Sequence, residues 1–152
     1  ALPPEVQPPL TIVGDGPASA ALQALAAEVY PGAVFAGARH GAELEPYFAA
    51  ADLFVLPGTG GLAVQQAMAA ALPVMVAEAD GTQADLVRPQ NGWMLPPGDL
   101  GALTAALGEA LADLPRLRRM GQASYAVVRD EINLERMAEV FLQAVRSVTE
   151  PS

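Results

Sequence analysis

Glycine-rich turns hold the residues best suited to chemistry in this 152-residue chain. The strongest is Pro57-Gly58-Thr59-Gly60-Gly61-Leu62, which follows an apolar run and leads into a helix-prone segment. Glycines there let the main chain come close to a ligand. The first turn of the following helix, Leu62 and Ala63 included, aims unpaired N–H groups and a positive dipole end at any anion. A tight turn needed only for helix–sheet packing is the plainer reading, and the place of the turn in an α/β sheet favours a ligand. A second turn, Gly14-Asp15-Gly16-Pro17, could bring amides to a phosphate or a sugar. It fits a simple strand-to-helix turn equally well. The third, Gly37-Ala38-Arg39-His40-Gly41, offers Arg39 and His40 to a base or a phosphate. A lone histidine on a loop is more often solvated, so Arg39 is the better candidate.

Composition narrows the chemistry further. Net charge is −9, and all 8 basic residues are arginine. Duplex binding, which rests on neutralising phosphates, is disfavoured, so no nucleic-acid partner is expected. A P-loop lysine and a lysine Schiff base are ruled out. With no cysteine and 1 histidine, thiol nucleophiles, disulfides and a histidine-cluster metal site go too. A diphosphate would have to be held by amides and arginine. The first turn half matches a dinucleotide fingerprint, but Ser19 stands at the third glycine position and no carboxylate ends the next strand. NAD is therefore disfavoured.

The elements that must position these turns alternate. Strands are expected at Leu10–Val13, Ala33–Gly37, Leu53–Leu56, Pro73–Ala77 and Asn91–Leu95. Helices are expected at Ala18–Tyr30, Glu43–Ala51, Leu62–Ala71, a short one from Gly81, one after the N-cap Asp99, then Arg116–Arg129 and Asn133–Val148. Leu53-Phe-Val-Leu56 reads as a strand covered on both faces. The last helix carries a stripe of Leu134, Met137, Ala138, Phe141, Leu142 and Val145. Alternation of this kind implies an α/β fold with a parallel sheet and helices on both faces. At 52% hydrophobic and 16% charged, the chain suits one domain with a real core. No apolar run reaches the ~18 residues of a membrane span. The start, Ala1-Leu-Pro-Pro-Glu5, lacks a signal-peptide pattern, so a cytoplasmic location is expected.

The order of these pieces resembles the carboxyl-terminal domain of glycosyltransferase family 4, the group 1 glycosyl transferases. The residues carrying the resemblance are Leu10-Thr-Ile-Val-Gly-Asp-Gly-Pro17, Val34-Phe-Ala-Gly37 and Ala51-Asp-Leu-Phe-Val-Leu-Pro57. Gln66-Ala-Met-Ala69, Leu72-Pro-Val74, Asn91-Gly92, Pro96-Pro-Gly-Asp99 and Arg118-Arg-Met-Gly121 continue it in register. The resemblance implies a Rossmann-like half of a GT-B fold that binds a nucleotide sugar, in a retaining enzyme without metal or other cofactor. It implies that Gly37, Ala38, Arg39 and His40 lie near the nucleobase. Gly60 to Ala63 would face the diphosphate or sugar, and Gln66 stands where the family has a glutamate for the ribose hydroxyls.

Departures from the family pattern are informative. Gly58 and Gln66 occupy the positions of two family glutamates. An amide accepts a weaker hydrogen bond than a carboxylate, and glycine offers no side chain. The resemblance also implies that an amino-terminal acceptor-binding domain is missing, along with the domain's first, central strand between the Gly14 strand and the Leu53 strand. Prolines 3, 4, 8 and 9 cannot supply that strand. On this reading the chain is a fragment, inactive alone. Membrane-surface association would run through the missing domain, and the gap in the sheet invites pairing with another copy. A degenerate, non-catalytic binding or assembly module is the second reading; a flavodoxin-like or receiver domain ranks last.

Overall fold

The computed structural model describes residues 7–58, 60–79 and 81–149. The chain divides into two compact units, one ending at Ala49 and the other beginning at Ala50. All strand pairings are parallel, as the alternation of elements predicts, and the strands fall into two sheets rather than one. The Gly14 strand belongs to one sheet and the Leu53 strand to the other.

The first unit contains β1 (Thr11–Val13), α1 (Ser19–Val29), β2 (Val34–Gly37), a 3-10 turn (Gly41–Leu44) and most of α2 (Glu45–Ala50). Pairing of β1 with β2 runs Thr11 to Val34 and Ile12 to Phe35, then slips so that Val13 meets Gly37. Gly37 takes a left-handed backbone at φ 71°, which a side chain would resist. The helix expected from Glu43 instead opens as the 3-10 turn: Gly41 at φ 55° bends the chain, and the Glu43 carboxylate accepts from the His40 N–H at 3.2 Å. At the far end of α1 the Tyr30 hydroxyl donates to the Pro8 carbonyl at 2.5 Å. Partial burial raises the Tyr30 pKa. Leu22, Leu25 and Val29 form the expected helical stripe yet stay about half exposed, because a two-stranded sheet offers little surface to cover them.

The second unit is ordered β3 (Phe54–Leu56), α3 (Leu62–Ala69), β4 (Val74–Ala77), α4 (Thr82–Leu86), β5 (Gly92–Leu95), α5 (Leu100–Ala112), α6 (Leu114–Asp130) and α7 (Leu134–Thr149). Its sheet order is β3-β4-β5. The central strand β4 is buried at every residue, with Val74 and Val76 on one face and Met75 and Ala77 on the other, so both faces are covered. Met75 packs with Ala106 and Ala110 of α5 and Leu117 of α6. The expectation that Leu53–Leu56 is covered on both sides holds less well. As the edge strand β3 has one neighbour, and Val55 is 37% exposed.

Polar ties fix the helices to this sheet. The Arg116 guanidinium lies over the Trp93 ring, 5.6 Å from its centroid, and pairs with Glu109, which also accepts from the Trp93 indole N–H at 3.3 Å. Arg88 grips Glu131 through two hydrogen bonds of 2.8 and 2.6 Å, which hold the Glu131 pKa below its ordinary value. Buried Asn91 closes the turn before β5, accepting from the Arg88 N–H and donating to the Leu86 carbonyl. The α7 stripe forms as expected but faces outward: Leu134, Met137, Phe141 and Leu142 are all more than half exposed. No helix of the described residues is long and apolar enough to cross a membrane.

The end of α3 is unusual in one respect. The Ala71 N–H bonds the Met68 carbonyl and the Leu72 N–H bonds the Ala67 carbonyl, a Schellman motif whose left-handed residue is Ala71 at φ 58°. The Ala71 carbonyl in turn sits where Gly121 lets α6 come close; a Cβ on Gly121 would lie 2.0 Å from it. Alanine pays for the left-handed backbone where glycine would not. Ala71→Gly is therefore expected to raise stability by about 1 kcal/mol, the strain relieved outweighing the added freedom of the unfolded chain. Urea unfolding of the two proteins checks this; a lower midpoint for the glycine variant contradicts it.

Candidate functional site

The turn between β3 and α3 is built on a rigid base. Val64, Ala67 and Met68 of α3 are wholly buried, which fixes the helix axis against the sheet. Ahead of them, Gly61 begins the helix at φ −85° and ψ −46°, with no side chain capping the N-terminus. The first internal bond runs from the Gln65 N–H to the Gly61 carbonyl at 3.0 Å. The amides of Leu62, Ala63 and Val64 therefore precede any helical acceptor. Three later helices are closed by their own sequence: Asp99 accepts from the Ala102 N–H, Asp113 from the Arg116 N–H and Asn133 from the Arg136 N–H. α3 sits at the carboxyl end of a parallel strand and has no such cap; α4 also lacks one but is only 5 residues long, so α3 is the longer helix start of this unit left open to an anion.

Gly58, Gly60, Gly61 and Ala63 are half-buried and Leu62 is exposed, so the sequence-predicted residues of this turn gather at one place. Thr59 lies outside the described residues. Gln66 follows one turn along α3, half-buried, and its carboxamide makes no hydrogen bond among the described residues. Thr82, at the start of α4, abuts the same corner: its Oγ1 lies 3.6 Å from where a Cβ on Gly61 would be.

In the unit ending at Ala49, the two other turns meet through one bond, from the Gly14 N–H to the Gly37 carbonyl at 2.9 Å. The Gly16 N–H is engaged as well, by the Asp15 carboxylate at 2.8 Å. Both glycine amides of the first turn thus have partners within the chain. Ala38, Arg39 and His40 are exposed beyond β2. Arg39 donates from Nε to the Tyr47 hydroxyl at 3.3 Å, and this contact raises its pKa above the ordinary arginine value. That bond leaves the rest of its guanidinium fork turned to solvent. The His40 main chain is occupied in starting the 3-10 turn. Among the described residues no group of three or more His, Asp or Glu gathers where an ion could be held.

One residue of interest escapes sequence reasoning. Gln83 of α4 is 1% exposed, and neither its Oε1 nor its Nε2 has a partner. In the sequence it is one polar residue in a short polar segment, and nothing in that pattern marks it as buried.

Comparison with known proteins agrees with this architecture. The chain is 36% identical over 125 residues to a GDP-mannose-dependent alpha-mannosyltransferase of Corynebacterium glutamicum, a match covering 80% of this chain and 29% of that protein. Among solved structures, sucrose-phosphate synthase from Thermosynechococcus elongatus superposes with a TM-score of 0.78 at 27% identity, covering 92% of this chain and 38% of the other. Anabaena Alr3699/HepE, solved in complex with UDP-glucose, gives a TM-score of 0.72 at 20% identity over 90% of this chain and 40% of that one. The chain therefore spans well under half the length of each. The shared fold bears out the Rossmann-like α/β expectation, and the match over residues 1–113 to the family described as glycosyl transferases group 1 shows that the chain belongs to that family.

Proposed function

We propose that the chain is the donor-binding half of a retaining glycosyltransferase, which moves a sugar from a nucleoside diphosphate to an acceptor. The observation carrying this reading is the uncapped first turn of α3 at the carboxyl end of β3, in a chain of the group 1 family. The diphosphate would rest on the amides of Leu62, Ala63 and Val64, with Gly58, Gly60 and Gly61 keeping side chains out of its way. When the bond from sugar to diphosphate breaks, the diphosphate leaves with the electron pair. The amides and helix dipole then meet the charge that develops, in fixed positions and without reorganisation. Gln66 would accept from a ribose hydroxyl.

GDP-mannose is the first donor to try, because the mannosyltransferase relative is named as dependent on it. No metal ion is required on this reading. Acceptor groups and any further acid or base come from an additional domain, so the chain alone binds the donor without turning it over. Contact with a membrane surface, if the acceptor demands it, belongs to that domain, and a cytoplasmic location suits the donor. A second reading, a binding module without catalysis, is favoured by Gly58 and Gln66 standing where the family carries glutamates.

Titration of the chain with GDP and GDP-mannose tests the donor reading. Gly61→Asp places a carboxylate against the α3 dipole; the space is open enough to accept a Cβ, at 3.6 Å from the Thr82 hydroxyl. Affinity for GDP is expected to fall by roughly ten-fold or more, without loss of thermal stability. Unchanged affinity contradicts the assignment of the diphosphate to this turn. Gln66→Glu separates the two readings: a live site should bind GDP roughly five-fold more tightly, since a carboxylate accepts the stronger bond. A vestigial one should not respond.

A further inference from the structure

We propose that Gln83 recognises hydroxyl groups of the transferred sugar; this rests on the donor-site reading above. Among the described residues, Gln83 is the buried side chain whose polar atoms, Oε1 and Nε2, find no partner. The other buried polar side chains are satisfied: Asn91 by Arg88 and Leu86, Ser124 by the Asn91 carbonyl at 3.4 Å. An unpaired buried amide lowers stability, and a chain that keeps one has a use for it or loses by it.

Its location gives the use. Gln83 lies in the first turn of α4, on the segment that leaves the carboxyl end of β4. The hydroxyl of the residue before it, Thr82, lies 3.6 Å from where a Cβ on Gly61 would be, at the corner where α3 begins. The carboxamide therefore belongs to the segment flanking the proposed diphosphate position.

Its chemistry then selects the ligand group. A carboxamide offers both a donor and an acceptor, and both are unsatisfied. A phosphate oxygen only accepts, so it would pair with Nε2 and leave Oε1 facing negative charge. A sugar hydroxyl both donates and accepts, and a neighbouring pair of hydroxyls satisfies both ends at once. A nucleotide sugar presents such pairs on its ribose and on the sugar beyond the diphosphate; the ribose hydroxyls are assigned above to Gln66, which leaves the transferred sugar for Gln83. Both Gln83 atoms are shut from solvent in the structure, so engagement requires the first turn of α4 to shift. Gly81, at φ 91°, supplies a left-handed joint directly before that turn, and α4 is only 5 residues long. Hydrogen bonds to the sugar reward the shifted position, which couples sugar binding to the movement.

Gln83→Leu and Gln83→Met keep the volume close and remove the hydrogen-bonding groups. Thermal unfolding and calorimetric titration with GDP and GDP-mannose, repeated with UDP and UDP-glucose, are the readouts. The variants are expected to melt no lower than wild type and to bind the bare nucleotide within about two-fold of it. Affinity for the nucleotide sugar should fall roughly ten-fold, because a site built to bond a hydroxyl loses that discrimination with its polar group. A wild-type preference for nucleotide sugar over bare nucleotide that survives unchanged in both variants overturns the Gln83 assignment and leaves the donor reading standing. A wild-type chain that binds none of the four compounds overturns the donor reading and this one with it.

Discussion

The first turn of α3 is the feature on which the functional account depends. A helix start leaves amide groups without partners, and at α5, α6 and α7 an Asp or Asn takes up one of them. At α3 the position holds glycine instead, so the positive end of the helix is left for something outside the chain. Burial of Val64, Ala67 and Met68 holds that end still, and the wholly buried strand β4 holds the neighbouring segment. The lack of lysine makes this backbone device more than an accessory. In a chain with net charge −9, an anion has few places to go, and main-chain dipoles are among them.

Much of this was legible in the sequence, for physical reasons. Strands buried on both faces must be continuous apolar runs, and Pro73-Val-Met-Val-Ala77 is one. Asp99 announces a helix because its carboxylate can reach the third amide beyond it, and the bond to Ala102 measures 2.9 Å. The glycines of residues 58 to 61 announce a close approach, and there the structure brings the uncapped helix end. Other features depend on tertiary context and leave no local mark. Nothing near Ala71 signals a left-handed backbone; it follows from how α3 must end to let Leu72 return to the sheet. The outward stripe on α7 shows the converse: periodicity gives a face, and what covers that face lies beyond local pattern.

The first turn, Gly14 to Gly16, shows how a motif can be read correctly as a turn and still be weaker as a site. Its glycine amides are already engaged, one by Gly37 and one by the adjacent Asp15. Arg39 differs, since its contact with Tyr47 orients the side chain without using up its fork of donors. Gly58 and Gln66 offer no carboxylate, so any ligand contact at this turn falls to neutral groups and backbone. A site assembled that way relies on placement more than on charge, which is why the rigidity of α3 matters.

The most direct measurement of the central claim is residue-resolved amide NMR during addition of GDP. The account predicts that the amide signals of Leu62, Ala63 and Val64 move together and saturate, while those of Ala102 and Arg116, whose caps come from Asp99 and Asp113, stay in place. Saturating shifts elsewhere with residues 62 to 64 unmoved, or no shift at any concentration, would contradict it.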